Sequence, residues 1–185
     1  MAKILIFFIL LTNLYAEFAV KSYKEFKNES VVRQSYEESC GASSIATLLN
    51  LTNIKRFSEK DILEVLDKNT NMLSFNELNN ALNKLGFYAK AYKLNRIIFE
   101  QIFTPFIVKI ENDPRFPHFV VVNNIKGDFV KVYDPSFGEY LSLKKEFYSV
   151  WDKDGLGGYA LIIKPNITKE IELNLPRPSQ IKDLK

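Results

Sequence analysis

The stretch VVRQSYEESCGASSIATLL, residues 31–49, contains the single cysteine of a 185-residue chain. Ile45 and Leu48 follow Cys40 at helical spacing, so a helix is predicted to begin close to the thiol. The positive end of a helix dipole favours the thiolate form of a cysteine, which is the reactive form. Gly41 has no side chain and is expected to leave room for a substrate backbone. The stretch therefore predicts a reactive cysteine at a helix start.

Capping boxes mark the start of two more predicted helices. Ser58 pairs with Asp61 ahead of the apolar run ILEVL, and Ser74 pairs with Glu77 ahead of LNNALNKL. Gly86 is expected to end the second of these helices. The first half of the chain is therefore predicted to be helical.

Beyond residue 86 the sequence changes to short runs rich in β-branched and aromatic residues, separated by Asn, Gly, Pro and Asp. Antiparallel strands are predicted at 87–93, 106–110, 118–122, 129–133 and 159–163. Residues 143–151 are expected to form a helix between the last two strands. Helices followed by an antiparallel sheet define the α+β class.

The only histidine of the chain, His118, begins the third predicted strand. Val120 and Val122 share its face of that strand, whereas Phe119 and Val121 share the other. Because both faces are apolar, the strand is predicted to lie in the middle of the sheet. His118 is thus expected at the rim of a central strand.

The hairpin that follows this strand predicts a partner for His118. A three-residue loop, 125–127, with glycine in the left-handed position would pair Asn124 with Asp128. Counting outward, this register places His118 directly opposite Asp134. The sole histidine is therefore predicted to pair with a carboxylate.

Cys40, His118 and Asp134 together would form a nucleophilic triad. An imidazole whose one nitrogen is held by a carboxylate presents its other nitrogen in a fixed direction, as a general base requires. Taken singly, each residue has an ordinary structural interpretation: a buried thiol, a polar residue at a strand end, and an aspartate that starts a turn. The register places the histidine and the carboxylate together without reference to the cysteine, which favours the triad.

The N-terminus MAKILIFFILLTNLYAEF resembles an export signal. It has a positive Lys3, an apolar run at 4–11 that is too short to span a bilayer, and a small residue, Ala16, at the cleavage position. Residues 1–16 are therefore interpreted as a signal peptide, with an uncleaved anchor as the alternative because Leu14 occupies the minus-three position. Either interpretation predicts a domain outside the cytoplasm, in the periplasm or outside the cell.

The remaining chain is expected to form one domain, because the full 185-residue sequence is 46% hydrophobic, which is ample for a single core. A polar segment at 17–30 precedes the predicted catalytic domain at 31–164. Residues 165–185 lack periodicity and are predicted to be an extended tail.

Charge and ligand spacing argue against other classes of function. The formal net charge is only +3 and basic residues form no long run, so no nucleic-acid partner is predicted. His118 and Cys40 lie far apart in the sequence and offer no short-range ligand spacing, so neither a metal nor another cofactor is predicted.

Several motifs resemble one known family. Gln34 stands six positions before Cys40, and HFVVV, YDPSFGEYLSL and EFYSVW follow in order. This pattern, from about Val31 to Ile163, resembles the double-glycine leader (bacteriocin-processing) peptidases, family thirty-nine of the papain-like cysteine peptidases. The resemblance implies a papain-like fold, with the nucleophile at the start of a helix in a helical lobe and an antiparallel sheet after it.

The resemblance also implies roles for individual residues. Cys40 matches the nucleophile, His118 the base, Asp134 the residue that orients the base, and Gln34 the side-chain donor of the oxyanion hole. The implied reaction is hydrolysis of a peptide bond after Gly-Gly or Gly-Ala through an acyl-enzyme. Ser39 departs from the family, in which an acidic residue often precedes the cysteine.

The setting of the domain departs from the family as well. The best-known members are cytoplasmic N-terminal domains of ATP-driven exporters, whereas this chain begins with an export signal. The expected partner is a peptide or protein substrate, such as an exported protein or a component of a secretion system. Two alternatives stay open: a non-catalytic peptide-binding accessory domain, and a papain-like amidase or transpeptidase acting on cell-wall peptides.

Overall fold

The protein is described from a computed structural model, which covers residues 20–52, 55–66, 73–111 and 115–164. The predicted signal peptide and the predicted C-terminal tail lie outside the described residues. No helix within the described ranges is both long and apolar enough to cross a membrane.

The helices of the described residues lie mostly in the first half of the chain, as predicted. They are α1 (Tyr23–Asn28), α2 (Cys40–Leu51), α3 (Glu59–Val65), α4 (Phe75–Lys84), α5 (Arg96–Phe99) and α6 (Lys144–Trp151), with a single 3-10 turn, Glu37–Ser39, directly before α2. Both predicted capping boxes form, at the starts of α3 and α4. Gly86 follows α4 with φ +85°, a conformation that favours glycine.

The strands form one antiparallel sheet of six, in the order β1-β6-β2-β3-β4-β5. They are β1 (Tyr88–Leu94), β2 (Phe106–Ile110), β3 (His118–Asn124), β4 (Phe129–Asp134), β5 (Gly138–Leu143) and β6 (Gly158–Lys164). The α+β class is thereby confirmed, and β3 lies inside the sheet as its two apolar faces predicted.

The hairpin between β3 and β4 has a longer loop than predicted. Asn124 pairs with Val130 rather than with Asp128, so the predicted register is wrong by two residues. The main-chain oxygen of Asp128 instead accepts a hydrogen bond of 2.7 Å from the N–H of Lys144, the first residue of α6. In the predicted shorter loop, the main-chain oxygen of Asp128 would instead take part in the hydrogen bonds between β3 and β4.

The two-residue shift does not separate His118 from Asp134. Side chains alternate between the faces of a sheet with a period of two, so a shift of two keeps both residues on the same face. They become diagonal neighbours instead of directly opposed residues, a separation that long side chains can still bridge.

The sheet is covered on both faces. One core contains α2, α3 and α4 residues packed on Phe119 and Val121 of β3. The other contains α5 and α6 residues packed on Val120 and Val122. The hydroxyl of Ser44 in α2 donates to the main-chain oxygen of Phe119 at 2.9 Å, so the first turns of α2 lie against the beginning of β3. This contact places Cys40 at the same end of the sheet as His118.

Candidate active site

The predicted nucleophile, Cys40, is the first residue of α2 and has a free thiol. Only 7% of the residue is exposed. It lines a cleft of about 1070 Å³ together with His118 and Gln34. Cys40 thus lines a cavity that is large enough for a peptide segment.

His118 is held by the carboxylate that the sequence assigned to it. Its Nε2 donates to Oδ1 of Asp134 at 2.8 Å, and the Asp134 side chain is only 2% exposed. The same oxygen accepts from the main-chain N–H groups of Ser136 at 2.7 Å and Phe137 at 3.2 Å. The turn after β4 therefore wraps around the carboxylate and fixes its direction.

The protonation of His118 follows from these contacts. Burial disfavours the charged imidazolium, but side-chain hydrogen bonds to Asp134 and Cys40 outweigh burial and raise the pKa of His118 to about 9. Because Nε2 faces Asp134, Nδ1 is the nitrogen left for the thiol. His118 is therefore charged at neutral pH and carries a proton on the nitrogen that faces the thiol.

This pKa predicts how stability depends on pH. The folded-state pKa of His118, about 9, lies above its ordinary value of 6.5. Protonated His118 therefore stabilises the folded protein fully below pH 6.5, and this contribution to the free energy of unfolding is lost as the pH rises through 9. Urea denaturation of wild type and His118→Gln is expected to show a difference in unfolding free energy that is largest below pH 6.5 and shrinks above it. A difference that stays constant across this window would contradict the assigned ion pair.

Gln34 lies between the start of α2 and the turn after β4. Its Nε2 donates to the main-chain oxygens of Tyr36 at 3.1 Å and Glu37 at 3.3 Å. Its Oε1 accepts from the hydroxyl of Ser136 at 2.9 Å. The amide nitrogen therefore lies on the segment that leads to Cys40, and an oxyanion must replace one of its two carbonyl partners to bind there.

Gly41 does not leave room for a substrate backbone, as was expected, but for neighbouring leucine side chains. A Cβ at this position would lie 2.9 Å from Cδ1 of Leu73 and 2.9 Å from Cδ2 of Leu78. The space that Gly41 leaves is therefore filled by leucine side chains and is not open to a substrate. The glycine allows α2 to pack closely on the start of α4.

Glu59 is a buried carboxylate close to the nucleophile that the sequence analysis did not single out. It accepts from the main-chain N–H of Ser35 at 2.9 Å, from the Ser35 hydroxyl, and from the Ser43 hydroxyl at 3.1 Å. Burial alone would raise the pKa of Glu59, but hydrogen bonds from Ser35, Ser39 and Ser43 hold it below the usual value. The sequence signal was weak because Glu59 directly follows a capping serine, a position that is normally exposed.

The walls of the cleft combine apolar and charged groups. Aromatic side chains contribute much of the lining, and three of them are more than half exposed: Phe116, Phe137 and Tyr159. Glu37, Glu38, Lys109 and Arg115 line it as well. The described part of the polar N-terminal segment, 20–30, contributes no lining residue; its helix α1 packs against β5 instead. Such a lining suits an extended peptide with both apolar and polar side chains.

Proteins with similar sequences include a probable protease and ATP-binding transport proteins. The chain is 26% identical over 140 residues to the probable functional amyloid protease FapD of Pseudomonas aeruginosa. This alignment covers 72% of this chain and 62% of FapD. It is 26% identical over 125 residues to the lactococcin-G-processing and transport ATP-binding protein LagD of Lactococcus lactis subsp. lactis, covering 66% of this chain but 18% of LagD. The chain therefore spans less than two thirds of either relative.

Solved structures show the same fold. The peptidase domain of Streptococcus ComA, a bifunctional ABC transporter involved in quorum sensing, superposes with a TM-score of 0.64 at 23% identity, covering 73% of this chain and 97% of that domain. A double glycine motif protease from an AMS/PCAT transporter, solved in complex with its leader peptide, gives a TM-score of 0.62 at 25% identity over 73% of this chain and 90% of that protein.

The match to the family itself covers most of the chain. A sequence profile described as the peptidase C39 family matches residues 28–168. This range includes every predicted site residue and extends slightly beyond both ends of the predicted domain. The chain thus belongs to the peptidase C39 family.

Proposed function

We propose that this protein is an exported cysteine endopeptidase of the bacterial cell envelope that cleaves peptide bonds after Gly-Gly or Gly-Ala. Cys40 is the nucleophile, His118 the acid and base, Asp134 the residue that orients His118, and Gln34 an oxyanion donor. The observation that carries the proposal is the 2.8 Å hydrogen bond between His118 and the buried Asp134, in a cleft shared with Cys40. A double glycine motif protease among the structural relatives supports the specificity.

The geometry supports acyl transfer in two steps. Cys40 Sγ attacks the scissile carbonyl carbon, and the oxyanion that forms is stabilised by the main-chain N–H of Cys40 and by Gln34 Nε2. His118 then gives its Nδ1 proton to the leaving amine as the C–N bond breaks, which leaves a thioester. Water then adds its oxygen to the acyl carbon and gives a proton to His118. The C–S bond breaks, the acyl group leaves as a carboxylic acid, and Sγ and the protonated His118 are restored.

A peptide panel tests the catalytic assignment. Fluorogenic peptides that contain Gly-Gly or Gly-Ala are expected to be cleaved by wild type and not by Cys40→Ala, because the substitution removes the atom that forms the acyl-enzyme. Mass spectrometry of the products locates the cleaved bond. Wild-type protein that binds these peptides but cleaves none above the Cys40→Ala blank would identify a binding domain instead. Transfer of the acyl group to an added amine would identify a transpeptidase.

The proposed export rests on the N-terminal sequence pattern. Lys3, the apolar run 4–11 and Ala16 fit a secretory signal, and cleavage after Ala16 would make Glu17 the first residue. N-terminal sequencing of protein recovered from the envelope fraction is expected to begin at Glu17. An intact Met1 or Ala2 would contradict cleavage and favour an anchored protein.

A further inference from the structure

Ser136, in the turn between β4 and β5, contacts both of the residues that assist the thiol and the base. Its main-chain N–H donates to Asp134 Oδ1 at 2.7 Å, and its hydroxyl donates to Gln34 Oε1 at 2.9 Å. Its main-chain oxygen accepts from the guanidinium of Arg33. The Gln34 N–H donates in turn to the main-chain oxygen of Pro135 at 3.2 Å. Residues 33–34 and the turn thus form one hydrogen-bonded unit beside the cleft.

Three contacts hold the Gln34 amide in one orientation and one position. The two groups facing Nε2, the carbonyl oxygens of Tyr36 and Glu37, can only accept hydrogen bonds. The group facing Oε1 is a hydroxyl, which can donate. A rotated amide would direct its oxygen at two other oxygens, so the observed orientation is strongly preferred. Removal of the hydroxyl would leave Oε1 without its donor and free that end of the amide to move.

We propose that Ser136 is a positioning residue whose hydroxyl keeps the amide nitrogen of Gln34 on the segment that leads to Cys40, where the oxyanion forms. The inference rests on the proposed function, which makes Gln34 an oxyanion donor. A donor held close to its working position before the reaction needs less reorganisation to stabilise the developing charge. The contact of Ser136 with Asp134 is made by its backbone, so replacing the side chain leaves that contact in place.

A double-mutant cycle measures the link between Ser136 and Gln34. Gln34→Ala is expected to lower kcat by about 10²-fold, the effect of losing one oxyanion donor. Ser136→Ala is expected to lower kcat by about tenfold with KM unchanged, because one hydrogen bond that orients the donor is lost. The double variant is expected to match Gln34→Ala alone. Ser136→Thr keeps the hydroxyl and is expected to restore kcat to within about threefold of wild type.

Ser149→Ala provides a matched control. Ser149 is exposed on α6, outside the cleft, and its hydroxyl donates to the main-chain oxygen of Glu146 at 2.6 Å. This variant is expected to keep the wild-type kcat, and thermal unfolding is recorded for every variant to compare their folded states.

The possible outcomes separate this inference from the proposed function. Losses from Ser136→Ala and Gln34→Ala that add in the double variant would overturn the inference alone, as would Ser136→Ala with wild-type kcat. A loss that Ser136→Thr fails to restore would show a structural role and overturn it too. Wild-type kcat in Gln34→Ala would refute the oxyanion assignment itself and the inference with it.

Discussion

Replacement of His118 by alanine is expected to lower kcat by about 10⁴-fold or more, while the protein remains folded. Nδ1 of His118 is the nitrogen placed to carry the proton between the thiol, the leaving amine and the attacking water. Without it the amine must leave unprotonated, and no group takes a proton from the attacking water. Cleavage of a Gly-Gly peptide under saturating substrate gives kcat, and circular dichroism checks the fold.

Added imidazole distinguishes lost chemistry from lost structure. The alanine variant leaves space in the cleft where the ring lay, so free imidazole is expected to restore part of the activity in a concentration-dependent manner. Rescue should not occur in Cys40→Ala, which serves as the matched control because it lacks the nucleophile. Substantial cleavage by His118→Ala without imidazole would contradict the role assigned to His118.

Substitutions of Asp134 are expected to lower kcat less than His118→Ala does. Asparagine keeps an oxygen that accepts from His118 and from the N–H groups of Ser136 and Phe137, but it removes the negative charge. Alanine removes both the acceptor and the charge. We therefore expect Asp134→Asn to lower kcat less than Asp134→Ala, and both variants to lower the pKa of His118 from about 9.

The sequence predicted the grouping of the site residues better than it predicted the hairpin that joins two of them. The loop between β3 and β4 was predicted two residues too short because the length of a turn depends on what its main-chain groups contact elsewhere. Here the oxygen of Asp128 bonds to Lys144 of α6. The error was harmless to the site, since alternation with a period of two kept His118 and Asp134 on one face.

Three elements that the sequence analysis did not predict, β5, α1 and α5, lack the apolar periodicity on which the prediction depended. β5 is an edge strand in which Tyr140 and Leu141, on opposite faces, are both exposed, so no alternation between buried and exposed residues marks it. The helix α1 does begin with a capping box, formed by Ser22 and Glu25, but none of its residues is buried and no apolar period follows. The α-helix α5 has only four residues, too few to show a period.

The supporting residues of the site were beyond sequence reasoning for a different reason. Ser136 contacts Gln34 across 102 positions, and Glu59 contacts Ser35 across 24. Serine in a turn and glutamate after a helix cap are ordinary choices at those positions. Their roles depend on which segments the fold brings together, which neither local pattern specifies.

Peptides in which leucine replaces the second glycine before the scissile bond are expected to show no measurable turnover. The acyl group must reach a thiol on a residue that is only 7% exposed, and the His118 side chain beside it is only 20% exposed. The residue that carries the scissile carbonyl lies directly against these groups, so the proposed specificity predicts that a branched side chain there clashes with the walls before the carbon reaches Sγ. Alanine adds a single methyl group and is expected to be tolerated at a lower rate.

Exclusion by a clash should reduce kcat/KM through the loss of a productive geometry and not only through weaker binding. Peptides with Gly-Gly, Gly-Ala and Gly-Leu at the cleavage position are compared at equal concentrations, with rates normalised to the Cys40→Ala blank. A peptide with leucine placed several residues after an intact Gly-Gly is the matched control and should be cleaved at nearly the rate of the parent peptide. Turnover of the Gly-Leu peptide within about tenfold of Gly-Gly, the size of discrimination that a single methylene gives in an open apolar pocket, would show that the approach to Cys40 is not narrow.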